Sequence, residues 1–228
     1  MGYEAIGERL AQVRAEIADR QRRAGWSHAV EVIAVTKGHP VEAIRAAVAA
    51  GLESIGENRV QEALAKQAQL TDPRVRWHLI GPLQRNKARH AVGRFVLIHS
   101  VDRMELAVEL ARRCPEGLRQ PVLIEVNCSG EPQKSGVAPD GVLRLVEGIV
   151  TEPRLELQGL MTMAALSDDE RVQRAAFGRL RGLRDALQRA GHPVRELSMG
   201  MSGDFPVAVE EGATMVRLGT VLFGERKR

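Results

Sequence analysis

The segment Val30-Glu31-Val32-Ile33-Ala34-Val35-Thr36-Lys37-Gly38-His39-Pro40 is a short β-branched run that ends in a polar, glycine-bearing turn. Its centre, Val32-Ile33-Ala34-Val35, does not alternate with polar residues. That pattern suits a strand covered on both faces, as in a parallel sheet. A helical pattern follows at once: Pro40 opens it, Val41, Ile44, Ala47 and Val48 recur at helical spacing, and Gly51 closes it.

The same strand-then-helix alternation repeats along the chain. Further apolar runs stand at Glu53–Gly56, Val75–Gly81, Phe95–Ser100, Val122–Asn127, Leu155–Met163, Val194–Met199 and Thr214–Phe223, with helical segments between them. Asp102–Arg113 reads as a helix with an Asp cap, and Ser167–Gly191 opens on the capping pattern Ser-Asp-Asp-Glu. An amphipathic helix over roughly residues 3–24 leads into the first strand. Eight strands alternating with helices in 228 residues predict one α/β domain over residues 1–228, a (β/α)8 TIM-type barrel with a leading N-terminal helix in place of a final one. The rival, an open doubly wound sheet, would need a glycine-rich first turn that is not written here.

Composition removes several function classes. One tyrosine, two tryptophans and four phenylalanines are too little π surface for a stacking platform on single-stranded nucleic acid. The net charge of +4 is spread through interleaved acids and bases, and the only basic run is Glu225-Arg226-Lys227-Arg228. No nucleic-acid partner is expected. Cys114 and Cys128 have neither a CxxC partner nor a nearby histidine pair, so no metal site or disulfide framework is expected. Met1-Gly2-Tyr3-Glu4-Ala5-Ile6 carries no apolar signal core, and no apolar stretch approaches the roughly 20 residues that span a bilayer. A cytoplasmic protein without a membrane partner is the expectation.

One asymmetry points toward chemistry. Of 33 basic residues only five are lysine: Lys37, Lys66, Lys87, Lys134 and Lys227. A lysine kept against that preference suits a role a guanidinium cannot fill, such as losing its proton and attacking a carbonyl. In a barrel the function lies at the C-terminal ends of the strands. Lys37 falls there, at the mouth of the first strand, where partial desolvation would favour the neutral amine. The Ser/Gly-rich turn Ser198–Asp204 and the pair Gly219-Thr220 of the last run can offer amides and hydroxyls, Ser202 among them, to a phosphate. Arg217 lies deep in its run, where a charge needs a partner, either a carboxylate such as Glu125 or a ligand acceptor. A Schiff-base lysine, a phosphate cradle and a cation facing a ring acceptor together describe a site for pyridoxal 5′-phosphate, PLP.

The motifs AVTKGHP (34–40), GENRVQEA (56–63), WHLIGPLQRNK (77–87), LIEVN (123–127), QKSGV (133–137), LQGLMTM (157–163), SMGMSGDF (198–205) and TMVRLGTVLFG (214–224) stand in this order across nearly the whole chain. Together they closely resemble the pyridoxal phosphate homeostasis proteins. The resemblance implies a barrel like the N-terminal domain of alanine racemase, with PLP held as an internal aldimine on Lys37. It implies phosphate contacts from Ser202, Gly219 and Thr220, and Arg217 facing the pyridine nitrogen. Asn58 and Met163 match pocket-lining positions. It also implies a carrier and buffer of intracellular PLP without established turnover, with PLP-dependent apoenzymes as recipients and a monomeric state.

The competing readings are a PLP-dependent amino-acid racemase of low activity and a cofactor-free Schiff-base aldolase on Lys37. An arginine at the ring nitrogen weakens the electron sink a racemase needs. A racemase also needs a second acid–base group, and the only tyrosine, Tyr3, begins the leading helix, which is expected to lie far from the rim. Lys87 and Lys134 read as loop lysines.

Overall fold

A computed structural model describes residues 3–131 and 133–225. The basic residues Arg226, Lys227 and Arg228 of the terminal run lie outside them. Eight strands, β1 (Glu31–Val35), β2 (Ser54–Glu57), β3 (Arg76–Leu79), β4 (Leu97–Val101), β5 (Gln120–Glu125), β6 (Leu155–Met161), β7 (Glu196–Met201) and β8 (Met215–Leu218), pair in parallel in chain order. β8 returns to pair with β1, Ile33 opposite Arg217, and closes the barrel. The helices are α1 (Ile6–Ala24), α2 (Val41–Ala49), α3 (Val60–Gln69), α4 (Ala88–Ala91), α5 (Met104–Arg113), α6 (Val142–Val150), α7 (Glu170–Arg189), α8 (Phe205–Glu210) and α9 (Thr220–Phe223).

Strand alternation sorts the side chains into two environments. Val32, Ala34, Trp77, Leu79, Leu197, Met199, Val216 and Leu218 join the helices in the large apolar core outside the barrel wall. Ile33, Leu97, Leu123, Met161 and Met215 form a separate small cluster, with Met163 against it, on the opposite strand faces. These same faces carry His78, His99, Glu125, Ser198 and Arg217, each no more than 4% exposed. The barrel interior is therefore half polar, and of its polar residues Arg217 reaches the site.

The eighth apolar run is not one strand. It ends at Leu218; Gly219, at φ −116° and ψ −80°, turns the chain, and Thr220–Phe223 forms a helical turn. Gly219 and Thr220 thus belong to the turn after β8. Asp102 does not cap α5: the helix starts at Met104 after Arg103, with no side-chain cap, and Asp102 binds Arg103 Nη1 at 2.5 Å instead. For α7 the capping residue is Asp169, which accepts the Arg171 N–H at 2.9 Å.

The leading helix places its first residue at the rim, contrary to expectation. A helix that leads into β1 runs antiparallel to it, so its N-terminus lies at the C-terminal ends of the strands. The ring of Tyr3 accordingly sits 6.3 Å from that of His39 and 6.2 Å from Phe223. α1 buries Ile6, Leu10, Val13 and Ile17. Arg9 Nη1 donates to Leu222 O at 2.9 Å and Arg20 Nη1 pairs with Glu210 at 2.7 Å, which ties the helix to α9 and α8. Among the described residues no helix is long and apolar enough to cross a membrane.

Close strand packing depends on Gly159 in β6, where a Cβ would land on the carbonyl oxygen of Glu196, its partner in β7. Gly159→Ala is expected to cost about 1–3 kcal/mol. Gly182→Ala, on the open face of α7 where a Cβ meets nothing, should instead add roughly 0.5–1 kcal/mol. Urea midpoints of the two variants check the contrast.

Candidate functional site

A cavity of about 490 Å³ opens at the C-terminal rim, within the roughly 300–1,000 Å³ usual for small-molecule sites. Lys37, Asn58, Met163, Ser202, Arg217, Gly219 and Thr220 all line it. The structure thus brings together all seven residues singled out from the sequence. Val35, His39, Ile80, Leu166, Met201 and Gly203 complete the wall and were not singled out. Three of the six had a readable signal: Val35 ends the strand two residues before Lys37, and Met201 and Gly203 flank Ser202. Leu166 comes from the loop after β6, and no pattern in the sequence marks it.

Lys37 stands on a braced turn. Thr36 before it donates its hydroxyl to Glu57 Oε1 at 2.5 Å. Lys66 Nζ donates to the Thr36 carbonyl at 2.8 Å, to Glu57 Oε1 at 2.6 Å and to Glu62 Oε1 at 2.8 Å. The Gly38 N–H, on the other side of Lys37, donates to the same Glu62 oxygen at 2.7 Å. The peptides on both sides of Lys37 are therefore tied to one buried ion cluster. Burial pushes Glu57 above the ordinary carboxylate range, against the pull of Lys66 and Thr36, and its Oε2 has no hydrogen-bond partner among the described residues. Burial also pushes Glu62 up, but Lys66 and the Gly38 amide outweigh it and hold the group below that range. Lys66 was missed from the sequence, although lysine scarcity and the Glu62–Lys66 spacing of four residues both mark it.

Arg217 forms the floor. Nη1 donates to Ser198 O at 2.8 Å and Ser198 Oγ at 2.7 Å, and Nη2 donates to Thr162 O at 2.9 Å. A guanidinium has five N–H donors, so two are not used by these acceptors, and the side chain lines the cavity. The alternative partner, Glu125, makes no ion pair with it among the described residues. Burial raises Glu125 to about 7, with Asp102 adding to the shift and Arg217 opposing it. Burial lowers Arg217 to about 10, with Asp204 and Glu125 opposing, which leaves it cationic at neutral pH.

The turns after β7 and β8 meet at Ser202. Its Oγ accepts the Gly219 N–H at 3.1 Å and the Val221 N–H at 3.3 Å, beside the exposed hydroxyl of Thr220. Two amides and two hydroxyls at one corner suit a phosphate, and the Arg217 donors suit a ring acceptor. Asn58 is packed tightly behind the cavity against Gly81, where a Cβ would collide with it. The residues present therefore fit the group that the sequence suggested. Lys134 lies aside: its Nζ donates to Ala164 O at 2.9 Å and pairs with Glu131 at 2.5 Å. Lys87 lines a different cleft, of about 540 Å³.

Fold and site define a (β/α)8 barrel with a lysine, a buried arginine and a hydroxyl–amide corner around one rim cavity. Residues 9–227 match the family model of the alanine racemase N-terminal domain. A pyridoxal phosphate homeostasis protein of Pseudomonas aeruginosa is 45% identical, the match covering 97% of this chain and 96% of that one. One of Aquifex aeolicus is also 45% identical, over 96% and 98%. The structure of PipY of Synechococcus elongatus with PLP bound superposes with a TM-score of 0.85 at 43% identity, over 96% of this chain and 100% of PipY. The chain belongs to the pyridoxal phosphate homeostasis protein family.

The brace under Lys37 makes a testable demand. Removing one partner of a buried ion pair costs about 3–5 kcal/mol, and Lys66→Met should destabilise the protein by about that much at pH 7. Without Lys66 the folded-state value of Glu57 rises further above its unfolded value. Stability relative to wild type is then recovered as the pH falls and Glu57 takes up a proton. Urea titrations at pH 7 and pH 5 should show the deficit shrinking.

Proposed function

We propose that this protein binds PLP at the rim cavity through a Schiff base on Lys37, and carries and buffers it for PLP-dependent apoenzymes, acting as a cytoplasmic monomer. The observation that carries the reading is that a lysine, a buried arginine with spare donors and the Ser202 corner line one cavity. It is supported by PipY, whose structure holds PLP, and by relatives named for homeostasis of the cofactor rather than for a reaction.

When bound, PLP supplies an aldehyde that a neutral lysine amine captures, a phosphate and a pyridine nitrogen. The braced turn fixes the Lys37 backbone at the cavity, so that only its side chain would have to move to bring the amine to the aldehyde. Ser202 and Thr220 give hydroxyls to the phosphate, and the Gly219 and Val221 amides, which donate to Ser202 Oγ in this structure, would turn from that oxygen to the phosphate. Ile80, Met163 and Asn58 wall the space for the ring. Arg217, cationic at neutral pH, donates to the ring nitrogen and leaves it unprotonated. Such a ring withdraws electrons weakly, which favours retention over turnover.

The case against a racemase rests on Arg217 and on relatives named for homeostasis rather than for a reaction. Tyr3 is at the rim after all, packed on His39 and Phe223. It is not among the residues that line the cavity.

The purified protein incubated with PLP should show a visible band that borohydride fixes, and Lys37→Ala should lose both band and trapping. A colourless wild type trapped by borohydride only with a sugar phosphate would favour the aldolase. Arg217→Glu should favour protonation of the ring nitrogen and shift the absorbance. In the double variant Ser202→Ala/Thr220→Val, equilibrium dialysis should show PLP retention weaker by about 1–3 kcal/mol.

A further inference from the structure

His78 of β3 and His99 of β4 take no part in the cavity wall or the phosphate corner. They are 1% and 0% exposed and meet each other, His78 Nδ1 to His99 Nε2, at 3.1 Å. His99 Nδ1 meets Ser198 Oγ at 2.9 Å, and that oxygen accepts from Arg217 Nη1 at 2.7 Å. At the far end His78 Nε2 has no hydrogen-bond partner among the described residues and lies 3.9 Å from Glu31 Oε1. Glu31 opens β1, so the series runs up the barrel interior from the base of the strands to the cavity floor.

The ends decide the direction of the hydrogen bonds. A guanidinium only donates, so Ser198 Oγ accepts from Arg217 and can either give its own hydrogen to His99 Nδ1 or accept a second one there; the Glu31 end selects the first. His99 then carries its hydrogen on Nε2 and donates to His78 Nδ1, and His78 carries its hydrogen on Nε2, toward the Glu31 carboxylate. The reverse order would turn a bare nitrogen lone pair toward that carboxylate. In the order described, each dipole turns its negative end toward Arg217. Burial lowers His78 to about 4 and His99 well below the ordinary histidine value, so both rings are neutral at pH 7 and do not oppose the guanidinium.

We propose that His99 and His78 are positioning residues for Arg217: through Ser198 they orient the guanidinium and stabilise its charge, so that its remaining N–H groups face the ligand in the cavity. The ligand arm of the test rests on the PLP reading, whereas the hydrogen-bond order stands on the geometry alone.

Two measurements test it separately. Long-range ¹H–¹⁵N correlation of the histidine side chains at neutral pH, without PLP, should show His99 and His78 neutral with hydrogen on Nε2, and Ser198→Ala should change the His99 pattern. A His99 that is charged or carries hydrogen on Nδ1 overturns the proposal. In PLP titrations, His99→Phe keeps an aromatic ring of similar size that neither accepts nor donates, and its dissociation constant should rise about ten-fold with a shifted absorbance maximum. His99→Gln can accept from Ser198 and donate to His78, and should bind within about two-fold of wild type. A folded His99→Phe protein with wild-type affinity and spectrum overturns the proposal. If the Phe variant does not fold, the tautomer assignment and the Gln variant decide. If wild type takes up no PLP, the functional reading fails, and the tautomers alone decide on the chain.

Discussion

Burying a guanidinium inside a barrel costs several kcal/mol unless oriented acceptors replace the water it loses. Much of this interior is arranged around that requirement for Arg217. Among the described residues no carboxylate pairs with it directly; two backbone carbonyls and the Ser198 hydroxyl take three of its N–H groups. Glu125 and Asp204 act on it only at longer range, each with its own acidity weakened by burial. A cation held by neutral dipoles keeps donors to spare, whereas one clasped by a carboxylate would have spent them on that partner. The half-polar interior follows: the apolar cluster of Ile33, Leu97, Leu123, Met161 and Met215 shares the barrel with the groups that hold Arg217.

The rim uses the opposite device. Beneath Lys37, three ionisable groups, Glu57, Glu62 and Lys66, are packed into hydrogen-bonding contact. Their role is mechanical, since their bonds end on Thr36 and on the Gly38 amide, the two peptides between which Lys37 is strung. A reactive amine on a long flexible side chain is held best through its backbone. The two lysines divide the work: one is buried as a strut, and the other is half-buried at the cavity.

The alternation of apolar runs and helical stripes was legible because a two-sided parallel strand and an amphipathic helix leave different periods in the chain. The last run failed at Gly219, since apolar residues continue through Val221-Leu222-Phe223 and periodicity cannot separate a strand end from a single helical turn. Asp102 failed as a cap because it stands one residue too early, and sequence locates helix starts only loosely. Tyr3 was misplaced for a topological reason: its distance from the rim depends on the antiparallel course of α1, not on its remoteness in the chain.

By itself the sequence determined the barrel, its leading helix and the seven residues around the cavity. Each strand delivers its C-terminal residues to the same rim, so a residue's place in its strand already states its place in the site. Only the tertiary structure decided what supports those residues. The links from Lys66 to Thr36, His78 to His99 and Ser198 to Arg217 join residues 19 to 30 positions apart, across neighbouring elements of the closed barrel. Such pairings follow from strand register and barrel closure, and local periodicity carries no record of them.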